Sequence, residues 1–133
     1  MDVGGKIAAP RTRETILLVD DDPTIVKLTA RVLEAQGYVV LRASLPSEAL
    51  RVAADRELVI HMLLTDVMMP EMNGPELATA LAVHRPQLKL LYMSGYAADV
   101  IGPGGVLDGR ATFIEKPFVG RQLAAKVREV LDA

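Results

Sequence analysis

Four short apolar runs in this chain each end in a polar side chain, and segments with helical spacing separate them. Apolar runs of this length that alternate with helices predict parallel strands covered on both faces. The carboxyl ends of such strands meet at one edge of the sheet, so the polar groups would gather there. The runs and the residues that end them are 16–19 with Asp20, 62–65 with Asp66, 90–93 with Ser94 and 112–115 with Lys116.

Five strand patterns alternate with helical patterns through most of the chain. This alternation predicts a doubly wound, three-layer α/β domain with a five-stranded parallel sheet. The strands are predicted near 15–20, 38–43, 58–65, 88–93 and 111–115.

Four of the crossovers between strands have clear helical periodicity. The first helix begins with Asp22 as its cap and Pro23 in its first turn, and Gly37 ends it. The fourth crossover, 97–107, contains three glycines and a proline, so only a short turn of helix is expected after Ala97. The remaining helices are predicted at about 46–56, 74–84 and 119–132.

The length of 133 residues suits one domain with its own core. Residues 1–13 are rich in Gly, Pro and Ala, so we predict a flexible linker or expression remnant there and the domain at 14–133. The apolar runs are far shorter than the roughly 18 residues that span a bilayer. No apolar signal core begins the chain, so we expect no membrane contact and a cytoplasmic location.

Charge and cysteine content exclude several classes of site. The formal net charge is −2 and the basic residues are scattered, which argues against nucleic-acid binding. The chain has no cysteine, which excludes disulfides and thiolate metal sites. Oxygen atoms are therefore the ligands that the sequence offers in quantity.

Acidic residues after the first and third strands predict a metal site. Asp20, Asp21 and Asp66 would bring three negative charges close together, which is unfavourable unless a cation joins them. Oxygen ligands select a hard divalent ion, and Mg²⁺ is commonly held by one or two carboxylates with water and a phosphate oxygen. We predict Mg²⁺, with Mn²⁺ able to replace it.

The same edge has the groups that phosphoryl transfer requires. A carboxylate such as that of Asp66 can attack phosphorus, provided that the phosphoryl oxygens are neutralised, and Ser94 and Lys116 would supply a hydroxyl and an ammonium. Taken singly, an acidic residue before a helix is more often a cap, and Ser-Gly or Lys-Pro is more often an ordinary loop dipeptide. Four such residues at strand ends favour the phosphoryl site.

The motifs LLVDDDP, LLTDVMMPEMNG, LLYMSGYA and FIEKPF, in this order and spacing, resemble those of response-regulator receiver domains. The resemblance covers about 14–133. It implies a flavodoxin-like (βα)₅ fold with strand order 2-1-3-4-5. It also implies two-component signal transduction, in which a phosphohistidine donor phosphorylates Asp66.

The resemblance implies further roles at the site. Asp21 and Asp66 would bind Mg²⁺ directly, Asp20 through water, and Met68 through its backbone carbonyl. Asp22 matches a third acid that is usually not a ligand. The roles implied outside the metal site are a phosphoryl-sensing hydroxyl at Ser94, a phosphoryl-binding ammonium at Lys116, a cis peptide before Pro117 and a rotating aromatic side chain at Phe113.

Two bulky residues would flank the mouth of the site. Met68 and Tyr96 occupy positions where, in the family, polar side chains can help to position a hydrolytic water. We therefore expect slow loss of the phosphoryl group.

The local sequences of the motifs resemble those of receiver domains at the C-terminus of hybrid sensor histidine kinases. A stand-alone receiver domain is the other option. The implied partner is a histidine kinase dimerisation and phosphotransfer domain or a histidine phosphotransfer protein, and a weak homodimer is a further option. The partner would dock on the first helix around Ile25 and Leu28 and on the loop at Pro117 and Phe118. The isolated domain is expected to be a phosphoacceptor rather than an enzyme with its own substrate.

Functions of other classes fit the residues less well. A flavodoxin-type electron carrier must bind the flavin phosphate in its first loop, where three aspartates would repel it. An aspartate-nucleophile phosphatase would need a second acid at the position of Met68. The main alternative is a receiver-fold scaffold for protein contact that is never phosphorylated. Such a scaffold would usually lack an acid, the hydroxyl or the lysine of the site, and this sequence retains all of them.

Overall fold

A computed structural model describes residues 13–95 and 111–133 of the chain. The described residues contain five strands and four helices, which we number separately. The strands are β1 (Thr15–Val19), β2 (Val39–Ala43), β3 (Met62–Asp66), β4 (Lys89–Ser94) and β5 (Phe113–Glu115). The helices are α1 (Pro23–Ala35), α2 (Pro46–Ala53), α3 (Gly74–Ala82) and α4 (Gly120–Asp132).

All five strands are parallel and lie in the order β2-β1-β3-β4-β5, so the predicted α/β fold and strand order are confirmed. Strand order reverses between β1 and β3, the place where open α/β sheets bind ligands. In the register of these two strands, Val19 lies opposite Thr65. The residues that follow, Asp20 and Asp66, therefore stand side by side at the carboxyl edge.

The two faces of the sheet bury separate apolar clusters. Alternate residues of β1 point to opposite faces, so Ile16 packs with residues of α1 and α4, and Leu17 packs with residues of α2 and α3. All the side chains of β3 are buried, as expected of a central parallel strand. The sheet is thus held rigidly from both sides, which fixes the residues at its edge.

Local signals explain where the first helix begins and ends. The Asp22 carboxylate accepts a hydrogen bond from the Thr24 N–H at 2.9 Å, and Pro23 is the first helical residue. Gly37, just after the helix, has a φ of 98°, a conformation that a residue with a β-carbon rarely adopts. The predicted cap and stop of α1 are both confirmed.

The start of β3 differs from the prediction, which began the strand near residue 58. The Leu58 carbonyl accepts a hydrogen bond of 2.7 Å from the Arg85 guanidinium, so it is not part of the strand ladder. The Val59 side chain is 66% exposed. The apolar pattern extended the strand too far because it does not reveal where a carbonyl finds its partner.

Two predicted segments lie outside the described residues, most of the linker at 1–13 and the fourth crossover at 97–107, as does Tyr96. Within the described ranges, none of the helices is long and apolar enough to cross a membrane.

Candidate functional site

The structure brings the polar strand endings together at the carboxyl edge of the sheet. Asp20 directly follows β1, Asp66 ends β3 and Ser94 ends β4. Lys116 follows β5, where its N–H donates to the Ser94 carbonyl at 2.7 Å. Four segments far apart in sequence therefore meet through the pairing of their strands.

The Lys116 ammonium lies between two carboxylates. Its Nζ is 2.8 Å from Asp20 Oδ2 and 3.4 Å from Asp66 Oδ1. Asp20 is 0% exposed and Asp66 is 9% exposed, so both charges have lost most of their contact with water. The other Asp20 oxygen, Oδ1, accepts the Asp22 N–H at 2.9 Å. Lys116 is thus the cation that balances two nearly buried acids.

A third carboxylate completes an acidic group with the spacing of a metal site. Asp20, Asp21 and Asp66 each offer an oxygen, and these oxygens all lie within 4.8 Å of one another. Asp21 is exposed, so the group opens to solvent on one side. One ammonium cannot neutralise three carboxylates, and an all-oxygen donor set suits a hard divalent cation. The residues present therefore fit Mg²⁺.

The charge imbalance alters the acidity of Asp66. Burial, and then the negative charge of Asp20, raise the pKa of Asp66 to about 6, although Lys116 and the Val67 N–H oppose the shift. For Lys116, burial acts to lower the pKa, but the hydrogen bond to Asp20 and the charges of both aspartates outweigh it, and the pKa is raised. Lys116 therefore stays charged, whereas Asp66 lacks enough positive charge nearby.

A close backbone approach supports the residue at the centre of the site. A β-carbon on Gly74, the first residue of α3, would lie 2.7 Å from the Asp66 carbonyl oxygen. The Gly74 N–H donates to the Val67 carbonyl at 2.8 Å and closes the loop between β3 and α3. Glycine is required here because any side chain would push the helix away from Asp66.

Comparison with known proteins gives a consistent result. Residues 16–128 match the Response regulator receiver domain family. The chain belongs to the response regulator receiver domain family. It is therefore a receiver domain of two-component signalling, and Mg²⁺ binding is general in this family.

Two relatives from Brucella abortus differ in how much of their length matches this receiver domain. It is 36% identical over 118 residues to the sensor kinase CckA, covering 89% of this chain and 12% of the kinase. It is 33% identical over 118 residues to the response regulator receiver protein CpdR, covering 89% of this chain and 97% of CpdR. The receiver domain therefore spans a small part of one relative and nearly all of the other.

A solved structure of the receiver domain from the hybrid histidine kinase CckA has the same fold. The TM-score is 0.73 at 32% identity, and the match covers 88% of this chain and 98% of that domain. This similarity implies phosphotransfer partners of the two-component kind.

The remaining residues singled out from the sequence occupy defined places in the receiver domain. Ser94 is buried, and Phe113 is partly buried against the face that packs on α2 and α3. The peptide bond between Lys116 and Pro117 is cis. The Met68 side chain is 60% exposed beside the site. Tyr96 lies outside the described residues.

Sequence reasoning missed two residues that support the site. The Thr65 hydroxyl donates to the Asp66 carbonyl oxygen at 2.9 Å inside the protein. Glu71, in the loop after Asp66, binds the first turn of α2 through its carboxylate. Neither has a local signal, because Thr is common in strands and the partner of Glu71 lies 24 residues away.

Proposed function

We propose that this receiver domain accepts a phosphoryl group on Asp66 from a phosphohistidine donor in a Mg²⁺-dependent phosphorelay. The observation that carries the proposal is the contact of one ammonium, Lys116, with both Asp20 and Asp66 at 2.8 and 3.4 Å. A solvated turn or helix cap would not need three carboxylates and a lysine at the ends of separate strands. A site in which Lys116 exchanges a carboxylate for a phosphoryl group would need the three carboxylates and the lysine together.

Each side chain has its own part in the proposed reaction. Asp20 and Asp21, with Asp66 and the Met68 carbonyl, would hold Mg²⁺, Asp20 acting through water. The bound ion supplies positive charge that neutralises phosphoryl oxygens. Lys116 would pair with another phosphoryl oxygen in place of its 3.4 Å contact with Asp66, and it would keep its shorter contact with Asp20.

The transfer replaces one bond to phosphorus with another. An ionised Asp66 oxygen attacks the phosphorus, the P–N bond of the donor breaks, and its electron pair remains on the imidazole nitrogen. Asp66 must be ionised to attack, yet its pKa of about 6 lies above the ordinary value for Asp. A cation at the site would lower this pKa, which gives the metal a second purpose.

The proposed switch begins at Ser94, which is buried at the end of β4. Its hydroxyl would donate to the phosphoryl group and draw the following loop toward Asp66. Phe113, opposite Tyr92 in the sheet, would then turn its ring into the space left behind. Phe113 has no hydroxyl, so this movement depends on packing alone, and the last two strand–helix units would form the output surface.

A shallow apolar groove next to the site suits the docking of a phosphotransfer partner. It has a volume of about 230 Å³, and its walls come from α1, from the loop that begins at Lys116 and from the first residue of α4. Leu28 is 54% exposed on its rim. The residues that line it are Ile25, Leu28, Thr29, Val32, Lys116, Pro117, Phe118 and Gly120. We propose that a helical histidine-bearing domain docks here.

The proposal fits two kinds of parent protein. A hybrid sensor kinase related to CckA and a stand-alone receiver related to CpdR would both present the domain, proposed to begin at residue 14, to a cytoplasmic partner. In either case the domain is a phosphoacceptor and not an enzyme that turns over its own substrate.

The test is intact mass after incubation with acetyl phosphate and Mg²⁺. The wild-type protein should gain one phosphoryl group, and Asp66→Asn should gain none, because its amide cannot attack phosphorus. Removing Mg²⁺ with a chelator should abolish labelling of the wild type. Wild-type protein that gains no phosphoryl group would favour the scaffold function, in which the receiver fold serves only for protein contact.

A second variant separates the chemistry from docking. Leu28→Glu places a charge on the rim of the groove but touches none of the acidic residues. It should be labelled by acetyl phosphate at the wild-type rate and much more slowly by a phosphorylated histidine phosphotransfer protein. Equal slowing with both donors would contradict the docking part of the proposal.

A further inference from the structure

The loop between β3 and α3 contains a residue in a conformation that is unfavourable for its type. Glu71 has a φ of 75°, and it is the only non-glycine residue with positive φ within residues 13–95 and 111–133. In this left-handed region the β-carbon crowds the neighbouring carbonyl, so glycine or asparagine is the usual choice. A glutamate here indicates that its side chain makes a compensating contact.

That contact is with the first turn of α2. Glu71 Oε1 accepts the Ser47 N–H at 2.9 Å, and Oε2 accepts the Ser47 hydroxyl at 3.1 Å. The cap residue of this helix, Leu45, makes no side-chain capping hydrogen bond. The first-turn carboxylate of α2, that of Glu48, accepts the Ser44 N–H at 2.7 Å, and Glu71 supplies from a distant loop the carboxylate that caps Ser47.

The loop is held at three places. The Gly74 N–H closes its base on the Val67 carbonyl at 2.8 Å. Met69 and Met72 pack against the apolar cluster on the inner side. Glu71 fastens the outer side to Ser47. The loop starts directly after Asp66 and contains Met68, whose carbonyl is the proposed metal ligand.

We infer that Glu71 is a positioning residue for the metal site. Its two hydrogen bonds with Ser47 keep the loop in the arrangement that Mg²⁺ binding requires. The inference rests on the proposed function, since it assigns a support to one ligand of that site. Loss of these hydrogen bonds should weaken Mg²⁺ binding, although Glu71 touches neither the ion nor the three aspartates. A purely structural cap on α2 would instead change stability alone.

Three variants separate the carboxylate from the backbone conformation. Glu71→Gly removes the carboxylate and is compatible with a φ of 75°, so the variant should fold. Glu71→Gln keeps the length and one acceptor oxygen but removes the charge. Ser47→Ala removes the hydroxyl partner. Glu57→Gln is the matched control, because Glu57 is an exposed acid whose side chain accepts none of the hydrogen bonds seen at the loop.

The measurements are Mg²⁺ affinity of the full chain by calorimetry and the thermal midpoint without metal. Glu71→Gly should raise the Kd for Mg²⁺ about fivefold, somewhat less than the roughly 10- to 100-fold loss typical of groups that support a metal ligand directly, because the contact is exposed. Glu71→Gln and Ser47→Ala should raise it about twofold each, and adding Ser47→Ala to Glu71→Gly should cause little further loss. Glu57→Gln should bind like the wild type.

The outcomes separate this inference from the proposed function. If Glu71→Gly binds Mg²⁺ with the wild-type Kd, the inference is wrong even if the thermal midpoint falls, and Glu71 is only a cap. A wild-type protein that binds no Mg²⁺ would overturn the proposed metal site and the inference together.

Discussion

Two clusters of charged residues lie at opposite ends of the sheet and are balanced in different ways. The carboxyl-end cluster has three carboxylates for one ammonium, and the amino-end cluster has two carboxylates for one guanidinium. The carboxyl-end cluster consists of Asp20, Asp21, Asp66 and Lys116. The amino-end cluster consists of Glu14, Arg128 and Asp132.

Geometry makes the amino-end cluster self-sufficient. Arg128 Nη1 and Nη2 donate to the two oxygens of Glu14 at 2.9 and 3.0 Å, and Nη2 also contacts Asp132 at 2.8 Å. The hydrogen bonds to Glu14 and then to Asp132 raise the pKa of Arg128, and the bond from Arg128 lowers the pKa of Asp132. Each carboxylate is hydrogen-bonded to Arg128, and water screens the remaining negative charge because Asp132 is exposed.

At the carboxyl end the same kinds of groups produce the opposite shift in acidity. Burial and the charge of Asp20 raise the pKa of Asp66 to about 6. A paired and solvated cluster stabilises its ionised carboxylate, whereas a buried cluster with excess negative charge disfavours one. The amino end is therefore interpreted as a structural clamp, and the carboxyl end as a cluster whose excess negative charge a divalent cation would neutralise.

The largest expected effect comes from removing the cation of the carboxyl-end cluster. Lys116→Ala leaves the fully buried Asp20 without its charge partner, so without Mg²⁺ it should lower the free energy of unfolding by about 3 kcal/mol. Mg²⁺ should restore part of this loss. Urea denaturation with and without Mg²⁺ measures both effects. Lys126→Ala is the control, because it removes a partly exposed lysine on α4 whose ion pair with Glu129, at 3.5 Å, lies on the surface of that helix. A loss of similar size in both variants would contradict the special role given to Lys116.

The next effect concerns pH. The folded-state pKa of Asp66 is raised to about 6, so the stability contributed by its neutral form is present below its ordinary pKa near 4 and lost as pH rises through about 6. Asp66→Asn should therefore be more stable than the wild type by about 1–2 kcal/mol near pH 8 without metal, after allowance for partial solvent access. The gain should shrink as pH falls through about 6 and approach zero only below about pH 4, where Asp66 is protonated in the folded and unfolded states alike. Denaturation across pH measures it, and a pH-independent gain would contradict it.

A smaller effect is expected at the amino end. Arg128→Ala breaks the contacts with Glu14 and Asp132, but water can solvate the freed groups in part, so the loss should be about 1 kcal/mol. The response of the variant to Mg²⁺ should equal that of the wild type. Thermal denaturation with and without Mg²⁺ checks both statements. A changed Mg²⁺ response would mean that the two ends are coupled.

The smallest effect concerns Met68, which lies beside the carboxyl-end cluster. The exposed Met68 side chain offers no polar group to a hydrolytic water. The phosphorylated wild type should therefore persist for minutes or longer, and Met68→Asn should speed decay about threefold, equal to roughly 0.6 kcal/mol. The decay of phosphorylated protein followed by intact mass decides this, and a wild-type lifetime of seconds would refute it.

The sequence was informative where structure depends on neighbouring residues. The apolar runs predicted the strands, and the Asp22 cap predicted the start of α1, because periodicity and capping act over a few residues. The polar residues after each strand predicted the site because parallel strands share one carboxyl edge. The early start predicted for β3 shows the limit, since the partner of the Leu58 carbonyl lies on Arg85, 27 residues away.

The motifs of the sequence were enough to predict which groups meet at the carboxyl edge and which family the chain belongs to. How those groups pair became clear from the fold: Lys116 lies closer to Asp20 than to Asp66, and burial raises the pKa of Asp66. The fold also brings Glu71 into contact with Ser47, 24 residues away, and Arg128 into contact with Glu14, 114 residues away. Such contacts depend on strand register and helix packing, which place side chains in space regardless of their separation along the chain.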